Sequence, residues 1–163
     1  MKHLKIDLLS KLCVGLDIGF RNNFITALNF ELNRLINMQH VPNATRGVEV
    51  IEFMILAVLE GHSQFKYLLI AMESTSFYGV HLANYFSTSD GLKPYELKVF
   101  CLNPKEVPNY KKSFSGLGKN DGLDSFIDAD FVRVGRISIE LWRGSPDSAG
   151  TSVSPLPERI TMS

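Results

Sequence analysis

The chain has 163 residues, 45% of them hydrophobic and 21% charged, enough for one domain with a full core and too few for two. Seventeen basic residues balance seventeen acidic ones, so bulk charge argues for no partner, and a nucleic-acid surface must come from local clusters. No apolar run approaches the roughly 18 residues of a membrane span, and the start MKHLKIDLLSKL lacks the core and cleavage site of a signal peptide.

Lys11 to Ile18 predicts a buried strand, apolar and closed by Gly19. Cys13 within it and Cys101 further on each sit in apolar runs and read as buried thiols of a reducing cytoplasm. Asn23 to Asn29 sets Phe24, Thr26 and Leu28 against Ile25 and Ala27, and Arg34 to His40 supplies a third strand. With polar turns at Asn22-Asn23 and at Glu31 to Asn33, the three form an antiparallel meander.

The pattern then changes to helical spacing. Thr45 to Glu60 places Val48, Ile51, Ile55, Val58 and Leu59 on one face, with Asn43 or Thr45 as N-cap and Gly61 as the stop. Tyr67 to Met72 is apolar throughout, as for a strand covered on both faces. Ser76 to Ser87 reads as a helix with Val80, Leu82, Ala83 and Phe86 inward, and Leu97 to Leu102 as another buried strand stopped by Asn103-Pro104. A helix is expected to begin at Pro104. Ser113 to Lys119 reads as a flexible loop, and Asp121 to Arg136 as a helix with Leu123, Ile127, Phe131 and Val134 recurring. The last stretch, 144–163, is rich in serine and proline without periodicity and is expected to be a disordered tail.

A three-strand meander followed by two crossover units gives an α/β fold, a mixed five-stranded sheet flanked by helices. Ribonuclease H-like (RuvC-like) nucleases use that order, as do, in duplicate, the actin-like sugar kinases.

Four carboxylates fall where such a sheet would gather them. Asp17 lies in the otherwise apolar VGLDIG, where an acid is costly to bury without compensation. Glu73 ends the fourth strand, and Asp121 and Asp124 stand three apart at the start of the last helix, on one face. Strand carboxyl ends are where open α/β sheets place their sites. Four clustered anions require cations, and oxygen-only ligands favour Mg2+ or Mn2+. Each residue also has a plainer reading. Asp17 alone suits a satisfied buried group, Glu73 the start of the next helix, Asp121 an N-cap and Asp124 a first-turn acid, and Asp128 on the same face reads as a solvated charge.

The stretches VGLDIG, ESTSFYG, CLNPKEVPNYKKSF and KNDGLDSFIDADFVRVGR together resemble the DEDD transposases of bacterial insertion sequences, the IS110 group, which are themselves similar to Piv-type DNA invertases. The resemblance implies a metal-binding tetrad of Asp17, Glu73, Asp121 and Asp124, acting catalytically in DNA strand cleavage and rejoining, with residues 11–143 as the amino-terminal domain. It also implies DNA as partner, a structured guide RNA, a homo-oligomer, and a bacterial cytoplasmic location without membrane. Lys105, Lys111, Lys112 and Lys119 are the candidate phosphate contacts, with Arg133 and Arg136 at the far end of the last helix; a solvated polar loop is the plainer reading of the lysines. Ser125 departs from the alanine usual in the family. The family's second domain, which supplies a nucleophilic serine, finds no counterpart in the 144–163 stretch, so the chain is expected to be a truncated copy, inactive alone. Three other readings stay open: a small RuvC-like nuclease, an inactive remnant that binds DNA, and an actin-like kinase fragment.

Overall fold

The computed structural model describes residues 8–43, 46–73, 77–102, 123–134, 138–141 and 158–161. The strands β1 (Lys11–Ile18), β2 (Asn22–Leu28) and β3 (Arg34–Pro42) form the expected antiparallel meander. Leu12 to Leu16 are all buried because helices cover both faces of the sheet at β1. Alternation along the strand then sorts the side chains. Leu12, Val14 and Leu16 join Ile25, Ala27, Leu68, Ile70 and Met72 in one cluster, whereas Cys13 belongs with Leu69, Ala71 and Phe100 on the opposite face.

From β3 the chain crosses through α1 (Gly47–Gly61) to β4 (Tyr67–Glu73), then through α2 (Phe77–Thr88) to β5 (Glu96–Leu102). Both new strands are parallel to their neighbours, which such crossovers allow and hairpins do not. Ile51, Ile55 and Leu59 of α1, with Leu82, Ala83 and Phe86 of α2, cover the first face. The last helix, α3 (Leu123–Val134), covers the second with Phe126, Ile127, Ala129, Phe131 and Val132. The order β3-β2-β1-β4-β5, helices on both faces, is the ribonuclease H-like arrangement expected from the sequence. Two short antiparallel strands, β6 (Ser138–Leu141) and β7 (Glu158–Thr161), extend the sheet past β5. β7 lies within the segment read as a disordered tail; the rest of that segment, the helix expected at 104–112 and the loop at 113–119 lie outside the described residues.

Three local expectations are corrected. Asn43 does not cap α1, whose first turn follows Arg46 without a side-chain cap. Its amide instead donates to the Gly19 carbonyl, an acceptor in the β1–β2 turn. Val80 is exposed, because it lies two residues from Leu82 and therefore on the other side of α2 from the inward residues. Asp128 is 1% exposed rather than solvated, since Ser125 to Val132 of α3 are buried without interruption.

Candidate active site

β1 and β4 run side by side in the same direction, in a register that pairs Gly15 with Ala71 and Leu16 with Met72. One residue further on, Asp17 and Glu73 therefore end neighbouring strands. Asp17 shares its sheet face with Cys13 and Gly15, and position 73 shares it with Leu69 and Ala71, so both stand on the face that α3 covers.

The direction of α3 decides which of its ends meets them. Near its carboxyl end, Arg133 donates to the Phe30 carbonyl at 3.0 Å. Phe30 lies in the β2–β3 turn, just past the pair of Leu28 with Cys13 near the start of β1. Ser125 and Ala129 sit over Gly15, further along β1. The helix is thus antiparallel to β1, and its amino end, with Leu123 and Asp124, points to the strand ends that bear Asp17 and Glu73. Asp124, Asp128 and Phe131 fall on one stripe of the helix, and Phe131 belongs to the cluster of Cys13, Leu69, Ala71 and Phe100. That stripe lies over β1 and β4.

Four contacts hold the helix in this position. A Cβ at residue 15 would run into the Ser125 carbonyl oxygen and the Ala129 amide nitrogen, so only glycine lets the helix backbone come down onto β1. The hydroxyls of Thr26 and Ser125 meet at 2.8 Å in a buried pair that joins β2 to the residue after Asp124. Arg133, expected at a DNA surface, instead pairs with the buried Asp130 at 2.7 Å and closes the carboxyl end against Phe30. The Arg34 guanidinium, 4.7 Å from the Phe126 ring centroid, adds a contact from β3. Sequence reasoning missed Gly15 and Thr26; a glycine in mid-strand was the signal available for the first.

Among the expected site residues, Asp17 and Asp124 have described, half-buried side chains. For Glu73 the strand position is described but not the side chain, and Asp121, Lys105, Lys111, Lys112 and Lys119 lie outside the described residues, as does Arg136. Among the described residues no three His, Cys, Asp or Glu side chains form a metal-holding group. Asp17 and Asp124 offer oxygen donors alone, partly shielded from water, and that donor chemistry suits a hard divalent cation.

A cavity of about 590 Å3, lined by Leu9, Ser10, Asn29, Glu31, Gln64, Lys66 and Tyr67, opens at the opposite end of β1 and β4. Open α/β sheets place their chemistry at strand carboxyl ends, and this cavity lies at the amino ends. Cys13 is equally remote from reactivity, its thiol pushed up to about 12 by burial. No helix among the described residues is long and apolar enough to cross a membrane.

A family model described as a transposase, that of the IS110-type DEDD enzymes, matches residues 14–146. No curated protein sequence matches the chain. The family implies DNA as a partner and, in general, dependence on a divalent metal. The matched stretch runs from within β1 through α3 and contains all four expected carboxylates, and the chain accordingly belongs to the DEDD transposases of the IS110 group.

Proposed function

We propose that residues 11–143 are the amino-terminal, metal-binding domain of a transposase that cleaves and rejoins DNA strands as an insertion sequence moves in a bacterial cytoplasm. The observation that carries this reading is the antiparallel run of α3 along β1, which directs Asp124 towards the strand ends bearing Asp17 and Glu73. In this reading Asp17, Glu73, Asp121 and Asp124 are the ligands of Mg2+ or Mn2+ and the catalytic carboxylates. When bound, the cations supply positive charge against the scissile phosphate and its leaving oxygen. The chain's own part is to hold carboxylates from two strands and a helix in fixed relation, through Gly15, the Thr26–Ser125 pair and Arg133.

Lys105, Lys111, Lys112 and Lys119, between β5 and α3 in the chain, neutralise backbone phosphates in this scheme. The domain works in a homo-oligomer with a structured guide RNA. Its nucleophilic serine belongs to a second domain, as the family resemblance implies, so residues 11–143 by themselves bind cation and DNA without completing strand exchange. Iron-directed cleavage of the polypeptide tests the site. Fe2+ with ascorbate and peroxide should cut the chain near Asp17, Glu73 and Asp124, and excess Mg2+ should suppress those cuts. Cuts elsewhere, or cuts indifferent to Mg2+, would contradict the proposal.

A further inference from the structure

Two residues past Asp17, the chain turns from β1 into β2 through Gly19, Phe20, Arg21 and Asn22. Phe20 at the tip is 84% exposed, more than any other large hydrophobic side chain among the described residues. Arg21 beside it is also exposed, and among the described residues no carboxylate pairs with it. Leaving a phenyl ring in water forgoes the stabilisation that burial would give. The turn is nonetheless held firmly. Gly19 N–H donates to the Asn22 carbonyl at 3.0 Å, the Asn43 side chain donates to the Gly19 carbonyl at 2.8 Å, and Asn43 N–H donates to the Arg21 carbonyl at 2.7 Å. A glycine is needed at 19, because a Cβ there would meet the Asn22 carbonyl. Ring and guanidinium are therefore presented from a braced backbone.

The surroundings continue the same chemistry. Register places Phe24 opposite Asp17, and His40 opposite Phe24, on the sheet face that carries the carboxylates. The Phe24 and His40 rings are tilted against each other with centroids 6.0 Å apart. An aromatic row thus leads from the carboxylate end of β1 outward across β2 and β3, with the Phe20–Arg21 turn at its rim.

We propose that the β1–β2 turn is a contact for the DNA strand entering the site, with Phe20 stacking on an unpaired base and Arg21 bound to a backbone phosphate. An exposed ring offers a π-face that any base can cover once it leaves the duplex stack, and a neighbouring cation supplies the charge the backbone needs. The inference rests on the proposed function, since it takes Asp17 as marking where the scissile phosphate lies.

Fluorescence anisotropy with a labelled single-stranded thymidine oligonucleotide tests it, on the full chain and on Phe20→Leu, Phe20→Trp and Arg21→Gln. Phe20→Leu should weaken binding about tenfold, Phe20→Trp should restore it, and Arg21→Gln should lower the slope of log affinity against log salt by about 0.7. Thermal unfolding of the variants should match the wild type, because both side chains are exposed. Mn2+ affinity, measured in parallel on Asp17→Asn, separates the two readings. Unchanged oligonucleotide affinity in Phe20→Leu, with Mn2+ binding lost in Asp17→Asn, would overturn the turn contact and leave the carboxylate site standing. Tighter binding of the matching RNA oligonucleotide than of the DNA would overturn the assignment to DNA.

Discussion

Ser125 follows directly on Asp124, and its hydroxyl lies 2.8 Å from that of Thr26, both residues fully buried. The Ser125 hydroxyl is therefore a buried polar group that β2 supplies a partner to meet. Ser125→Ala is expected to cost about 1–2 kcal/mol, because Thr26 keeps a buried hydroxyl that has lost this contact. Thr26→Val should cost a similar amount, and the double variant clearly less than the sum. Urea unfolding of the four proteins measures the coupling, and strictly additive losses would dismiss the pair. Cys13 gives a second handle at this scale. Burial pushes its thiol from 9.0 up to about 12. Below pH 9 folded and unfolded chains both keep the proton; between 9 and 12 only the unfolded chain releases it, so stability falls as pH rises through that window. A Cys13→Val variant should show a shallower decline over this range than the wild type, and parallel curves would dismiss the effect.

The decisive element is α3, whose position depends on what is missing at Gly15. Gly15→Ala forces the helix backbone away from β1, at a cost of about 1–3 kcal/mol. It should also weaken Mn2+ binding at least tenfold by displacing Asp124. Gly61→Ala is the control, since a Cβ there meets open space. Equal Mn2+ affinity in Gly15→Ala and Gly61→Ala would show that helix placement does not set the site. The elements were largely legible in the sequence because period-two and period-3.6 patterns follow from burial, and burial decides these strands and helices. β1 was read with its observed limits for that reason. The direction in which a residue was read failed where the covering partner lies far away in the chain. Asp128 looked solvated because nothing local says that α3 is buried on every side, and Arg133 looked available because the Phe30 carbonyl meets it only in the fold, although its pairing with Asp130 one helical turn back is local. Asn43 has the chemistry of an N-cap, but the nearer demand was a carbonyl in the β1–β2 turn. β6 and β7 are four-residue strands with mixed polarity, too short for alternation to stand out.

Across the whole molecule, the sheet order β3-β2-β1-β4-β5 sets the ends of β1 and β4 side by side, and α3 returns antiparallel over them. Asp17, Glu73 and Asp124 come from three separate stretches of sequence, and this topology brings the two strand ends and the amino end of α3 together. The family match over residues 14–146 agrees with that arrangement, and the proposed metal chemistry follows from it. Calorimetric titration of Mn2+ into the folded chain, beside Asp17→Asn and Asp124→Asn, tests this most directly. The account predicts saturable binding in the wild type and at least a tenfold loss in each variant, with unfolding midpoints little changed. Equal affinity in all three proteins, or no binding by a wild-type chain shown to be folded, would contradict it.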